Sequence, residues 1–165
     1  MIFIRQARRE HFADILEINA ESAPGVSSLT SDALDPIFET ASVGWVALVN
    51  ERVAGYLVGF ASNAAYEGEE FRWFRSRILG FLYVDQIAVR ASHRSQGIGM
   101  ALYQELGVFA ERKQLSAVAC EVNLDPPNPR SMAFHTRQGF VEIGRLGTSD
   151  GRHVALLHKP LQAAR

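Results

Sequence analysis

The sequence has one cysteine, Cys120, so no intramolecular disulfide can staple the fold and a reducing compartment suits it. It has no excess of charge of either sign. Seventeen Lys and Arg against 18 Asp and Glu leave a formal net charge of −1, which argues against nucleic acid as the main partner. A local basic patch can still hold a phosphorylated ligand. No apolar run approaches the roughly 20 residues of a membrane span. From Met1 to Phe12 basic residues follow a very short apolar stretch, the reverse of a secretion signal, so the expected location is the cytoplasm. Internal repeats, low-complexity tracts and linkers are absent too. What remains, 47% hydrophobic and 21% charged, is the ordinary composition of a globular enzyme. Residues 1–165 fit one domain that can bury a core unaided.

The pattern along the chain alternates strands and helices. Ile2-Phe3-Ile4 reads as a short strand, and Arg9 to Ser22 as a helix with Phe12, Ile15, Leu16 and Ile18 on one side. Pro24-Gly25 ends it. A second helix starts at Thr30 or Ser31, with Ser31 or Asp32 in reach of its first turn. Val43–Val49 and Arg52–Phe60 form an antiparallel hairpin joined tightly at Asn50-Glu51. Ala61 to Gly80 is too long and too aromatic for a plain connector, and a loop carrying a short helix suits it. Phe81 to Val89 is the strongest strand signal. A helix from Ile98 to Arg112, a strand from Ala117 to Val122 and a helix from Asn128 to Arg137 follow. The strands Phe140–Gly144 and His153–His158 close the chain across an Asp150-Gly151 turn. This order predicts an α/β (α+β mixed) fold: a mostly antiparallel mixed sheet of six or seven strands with helices on both faces.

The unit with chemistry in it runs from Val89 through Arg90–Gln96 into Gly97-Ile98-Gly99 and a helix. A strand that feeds a glycine-bearing turn at a helix start makes an anion site, because unpaired N–H groups of the first turn point outward and the helix dipole favours negative charge. Gly97 and Gly99 keep side chains away from an approaching diphosphate, and Arg94 adds a guanidinium. A P-loop needs Lys and Ser or Thr after its second glycine, where this chain has Met100-Ala101. A dinucleotide fold wants a third small residue where Leu102 stands and turns almost at once after its strand. Here seven residues separate Val89 from Gly97.

The pattern Arg94-x-x-Gly97-x-Gly99 entering a helix resembles the acyl-coenzyme A signature of the GNAT superfamily of N-acetyltransferases. Tyr83 to Val89 looks like that family's central strand. Asn128-x-x-Ser131-x-x-Phe134-His135-x-x-x-Gly139-Phe140 looks like its second signature, usually Asn-x-x-Ala-x-x-Phe/Leu-Tyr-x-x-x-Gly-Phe. Two motifs at the correct separation, across Phe81 to Phe140, are specific where either alone is weak. The resemblance implies acetyl-CoA as co-substrate, with its pyrophosphate in the cradle Arg94-Ser95-Gln96-Gly97-Ile98-Gly99 at the head of the helix that continues with Met100. It implies that pantetheine lies along the backbone of Ile87, Ala88 and Val89, as an added strand would, with Asn128 and Ser131 beside it. A backbone N–H of that strand is the natural oxyanion donor.

The amine arrives mostly protonated, since an alkylamine titrates near ~10, so a proton acceptor is required. Asp85 and Glu121, on strands bordering the expected cleft, are the candidates. A carboxylate inside Leu82–Val89 is costly unless paired or solvated. His135 departs from the family's tyrosine, whose hydroxyl can protonate the leaving thiolate. Histidine can donate a proton as well; the plainer reading is a histidine on the helix surface with no acid role. Asn128 also suits a cap for the helix begun by Pro129. Cys120, in an apolar strand, reads as packing rather than as a nucleophile. The five histidines lack metal spacing, and no metal is expected.

The resemblance implies that the acceptor is an amine on a small molecule, an amino acid or a protein N-terminus or other peptide. Glu21, Tyr66, Glu69, Glu70, Phe71, Trp73 and Phe74 are the residues able to line its pocket, set against an amphipathic segment that turns its aromatics inward. An acidic, aromatic lining favours a cationic amine. Membrane and nucleic-acid partners are not expected, and a homodimer is compatible with everything above. The alternatives to an acetyltransferase are a non-catalytic acyl-CoA-binding module and, further off, a dinucleotide-dependent oxidoreductase.

Overall fold

The structure, a computed structural model, describes residues 1–162. The chain runs β1 (Ile2–Gln6), α1 (Phe12–Ser22), α2 (Ser31–Thr40), β2 (Val43–Val49), β3 (Arg52–Ala61), α3 (Glu69–Arg75), β4 (Phe81–Val89), α4 (Ile98–Arg112), β5 (Ala117–Asp125), α5 (Pro129–Arg137), β6 (Val141–Gly147) and β7 (His153–Pro160). One seven-stranded sheet has the order β1-β2-β3-β4-β5-β7-β6. Every pairing is antiparallel except β4 with β5. The mixed sheet and the helix that the sequence places within Ala61–Gly80 are both found.

Alternation along the strands feeds two cores, one on each face. Val46, Tyr56, Val58, Phe60, Phe81 and Tyr83 pack with Ile15 and Ile18 of α1, Leu34 of α2 and Phe71 and Phe74 of α3. Ala47, Leu57, Leu82 and Val84 pack with Ile98, Leu102 and Leu106 of α4 and with Phe134 of the α5 side. Side chains of period two on a strand are what divide the core in this way. The hairpin β2–β3 closes through Asn50 (φ 49) and Glu51 (φ 63), the left-handed pair that matches the twist of two antiparallel strands. α1 is tied to the end of β4 by Arg90. Its guanidinium meets Asp14 at 2.7 Å and Glu17 at 3.0 Å and donates to the Val53 carbonyl at 3.0 Å.

Candidate active site

β4 and β5 are parallel but pair only at Phe81–Ala117, Leu82–Val118 and Tyr83–Ala119. Beyond Tyr83 they diverge, while β3 and β7 stay on their outer edges. The two inner edges then face each other across a wedge in the sheet. Main-chain donors and acceptors on these edges need partners, and an extended ligand chain can supply them.

At the end of β4 the chain enters the anion turn. Ser95 (φ 62) and Gly97 (φ 82) take left-handed conformations, and Gly97 is the N-cap of α4. Among the described residues, no backbone N–H from Ser95 to Met100 donates to a protein carbonyl, the first such bond being Ala101 N–H to Gly97 O. A Cβ on Gly97 would meet nothing within 4 Å, so the space over these amides is open. At Gly99 a Cβ would sit 3.0 Å from the Phe134 ring. Its missing side chain lets α4 and α5 approach beside the cleft that Gly99 also lines.

A cleft of about 770 Å³ opens between the turn, the free edge of β4, the start of α5 and the end of α1 with its following loop at Glu21–Val26. Ile87, Ala88, Val89, Arg94, Ser95, Gly97, Ile98, Gly99, Met100, Asn128, Ser131 and His135 all line it. Gln96 does not; its amide turns back to the Ser92 carbonyl at 3.3 Å. The Arg94 guanidinium lies 3.4 Å from the Glu21 carbonyl. Asn128 accepts from Ser131 N–H at 3.2 Å, capping α5. His93, Arg130 and Arg137 line the cleft as well. Sequence patterning passes them over because a basic residue in a loop or on an outer helix face carries no periodic signal.

Asp85 and Glu121 are not in the lining of this cleft. They project from the α1–α3 face of the sheet, opposite α4, at the same fork. The β3–β4 register advances from Val58–Gln86 to Gly59–Val84, so Asp85 is the extra residue of a β-bulge. Both Asp85 and Gln86 therefore turn towards the α1–α3 side. Tyr66 donates its hydroxyl to Asp85 Oδ1 at 2.8 Å, and Tyr83 donates its hydroxyl to Glu121 Oε2. Each carboxylate keeps a partial opening to solvent. Burial, reinforced by Glu70, pushes the Asp85 carboxyl up to about 6, against the Tyr66 hydrogen bond that lowers it. Glu121 rises well above the ordinary carboxylate range, through burial first and then repulsion from Glu70 and Asp85. The nearby cation, Arg152, is shared among Asp150 at 2.9 Å, Glu70 at 3.3 Å and Asn123 at 3.1 Å.

His135 is buried, not on the helix surface. Its Nε2 lies 2.7 Å from the Tyr103 hydroxyl and its Nδ1 2.8 Å from the Ser131 carbonyl. A carbonyl can only accept, so Nδ1 carries the proton and Nε2 accepts from Tyr103. Burial lowers the affinity of this ring for a second proton, partly offset by the Ser131 carbonyl. The imidazole is thus neutral with both nitrogens engaged.

The acceptor-side expectations divide. Phe71 and Phe74 are core, as the inward-packing reading has it, and Trp73 packs on Gly144 with Arg77 over its ring at 3.9 Å. Glu69 binds Ser149 at 2.9 Å, and Glu21 accepts from Ala91 N–H at 2.8 Å. Tyr66 and Glu70 do reach the carboxylate pair. Buried Asn19, Tyr56 and Gln86 form a polar knot, with Tyr56 O–H to Gln86 at 2.7 Å and Asn19 N–H to Ser27 O at 2.9 Å. With Asn19 accepting from Leu29 N–H at 2.9 Å and Asn123 donating to Pro24 O at 3.0 Å, it pins the α1–α2 loop over the fork. Its signal was a polar residue amid an apolar run, in Ile15–Ala20 and in Phe81–Val89.

A wedge in a mixed sheet, with open amides at the head of the following helix, is built for an acyl-coenzyme A thioester. The Acetyltransferase (GNAT) family profile matches residues 11–140, and the chain belongs to that family. Acetyl-CoA is its acyl donor and an amine its acceptor. No curated protein sequence matches the chain. Among solved structures it is similar to the ribosomal-protein-S18-alanine N-acetyltransferase of Escherichia coli, with a TM-score of 0.75 and 16% identity over 100% of this chain and 97% of that one. Ard1 of Thermoplasma volcanium gives 0.79 and 18% over 98% of each. The yncA protein of Salmonella typhimurium, solved with its cofactor acetyl-CoA, gives 0.74 and 18% over 100% and 96%. At these identities the likeness is one of fold.

Proposed function

We propose that this acetyltransferase brings its two substrates to the fork from opposite faces of the sheet, with a cationic amine entering the acidic recess of Asp85, Glu121, Glu70 and Tyr66. The observation that carries this reading is the placement of the open amides and the carboxylate pair on either side of the same β4–β5 wedge. Acetyl-CoA, when bound, supplies a thioester carbonyl. The N–H groups from Ser95 to Met100, with Arg94 and Arg130 near, hold its diphosphate, and the free edge of β4 at Ile87–Val89 holds its extended arm. Main-chain N–H groups of that edge stabilise the carbonyl oxygen as charge develops on it.

Glu121, with Asp85 beside it, takes the proton from the incoming ammonium. A carboxylate raised by burial and by like charge is a strong base once ionised, and a bound cation reverses the very repulsion that raised it. The nitrogen sheds a second proton as the C–S bond breaks, and the thiolate takes one up. Protons balance without an ionisable donor on α5, so we assign His135 to holding α5 against α4 and not to acid catalysis. The unit acts as one domain over residues 1–165 in the cytoplasm.

The test pairs calorimetry of acetyl-CoA binding with thiol release against putrescine, spermidine, lysine and alanyl, seryl and methionyl peptides. Turnover with at least one cationic amine, lost in Glu121→Gln, is expected. Tight acetyl-CoA binding with no thiol release across the panel would favour the non-catalytic acyl-CoA-binding module instead.

A further inference from the structure

We propose that Tyr83 is a positioning residue for the proton-accepting step: its phenol, donated to Glu121 Oε2 across the fork, fixes that carboxylate and leaves Oε1 to face the amine. This rests on the reading of Glu121 as proton acceptor. Tyr83 is the last residue of β4 to pair with β5, opposite Ala119, and Glu121 stands two positions further on the same face. Where the backbone ladder stops, the Tyr83–Glu121 hydrogen bond continues the link between the strands.

The phenol has little freedom to do anything else. Tyr83 is 1% exposed, with the rings of Phe74 at 5.9 Å, Phe71 at 6.0 Å and Tyr66 at 6.3 Å. A buried hydroxyl needs a partner, and Glu121 is the one it has among the described residues. The ionisable groups facing Glu121 are Tyr83 and Asp85 from β4, Glu70 from α3 and Arg152 from the turn before β7, with Tyr66 from the loop beyond β3. Tyr103 of α4 and Cys120 of β5 lie behind the strand. Glu70 and Asp85 repel its charge, and Arg152 is divided among three partners. Tyr83 is thus the neutral donor that keeps the carboxylate ionisable, and its ring is too tightly packed to follow a carboxylate that turns.

The experiment is the pH dependence of kcat/KM, with the best acceptor of the amine panel, for wild type, Tyr83→Phe and Glu121→Gln. Losing a hydrogen bond to the charged form favours the protonated carboxyl, so the acid limb of Tyr83→Phe is expected to move up by about one pH unit. Its rate is then about tenfold lower on the acid side and recovers at alkaline pH, with acetyl-CoA affinity unchanged. A merely structural role for Tyr83 would not produce that alkaline rescue. Placing 3-fluorotyrosine at position 83 keeps the hydroxyl and the packing but makes a stronger donor, so the limb should move down; this holds the test open if Tyr83→Phe does not fold. Infrared titration of the Glu121 carboxylate band, taken as the difference from Glu121→Gln without acceptor, should shift in the same two directions. A wild-type limb in both Tyr83 variants, with the limb lost in Glu121→Gln, overturns the role of Tyr83. Rate and limb both retained in Glu121→Gln overturn the reading of Glu121 itself.

Discussion

Replacing Asp85 by Asn should make the protein more stable and less active, with a stability gain that depends on pH. The Asp85 carboxyl is raised from 3.8 to about 6, about two units at about 1.4 kcal/mol each. Ionising it in the folded state therefore costs about 3 kcal/mol, reduced to about 2 because the group keeps some contact with solvent. Its folded-state proton affinity exceeds the unfolded one, so the folded protein binds more protons between about pH 4 and 6. The stability from this group is complete below pH 4 and lost as pH rises through 6. Asn cannot ionise, and its carbonyl still accepts from Tyr66. Urea unfolding at pH 4.5, 6 and 8 should find the variant close to wild type at the lowest pH and about 2 kcal/mol more stable at the highest, with Tm higher by about 6 °C. Parallel stability curves for the two proteins across that range would refute the reasoning, because they would show Asp85 paying no folded-state penalty for its charge.

Gly97→Glu should abolish acetyl-CoA binding in calorimetry while the circular dichroism spectrum stays native. The new Cβ meets no protein atom within 4 Å, the carboxylate puts charge over the open amides, and the left-handed φ costs about 1–2 kcal/mol. Gly99→Ala should act through packing, losing about 1–3 kcal/mol in urea unfolding as its Cβ presses on Phe134, with partial recovery in Gly99→Ala/Phe134→Leu. His135→Ala should leave the pH profile of turnover unchanged but lower stability by about 2–4 kcal/mol, through the cavity and the orphaned Tyr103 hydroxyl. Burial lowers the folded-state proton affinity of His135. Its stabilisation is therefore present above pH 6.5 and lost on acidification, so the difference between wild type and variant should shrink below pH 6.

Periodicity in the sequence was enough to place the strands and helices, because a side-chain repeat of two or 3.6 is a local property. The anion turn was legible for the same reason: it is one continuous segment, Val89 to Met100, and its chemistry is that of its own backbone. Even there, local reading stops short at Gly99. Sequence shows a missing side chain but not the Phe134 ring, 35 residues away, that packs against it. His135 shows the same limit. Its place in the motif was visible, and its Tyr103 partner on another helix was not.

The carboxylates mark where tertiary structure took over. Asp85 and Glu121 stood out as charges within apolar strands bordering the expected cleft, and the sequence did not say which face of the sheet they meet. A single β-bulge at Asp85 and the strand alternation at Glu121 turn both to the α1–α3 face, where Tyr66, Tyr83, Glu70 and Arg152 surround them. Residue types and local periods settled which segments form the sheet and which loop offers its amides. The registry between strands, fixed only when all seven pair and both cores close, decided which face of the sheet each carboxylate meets.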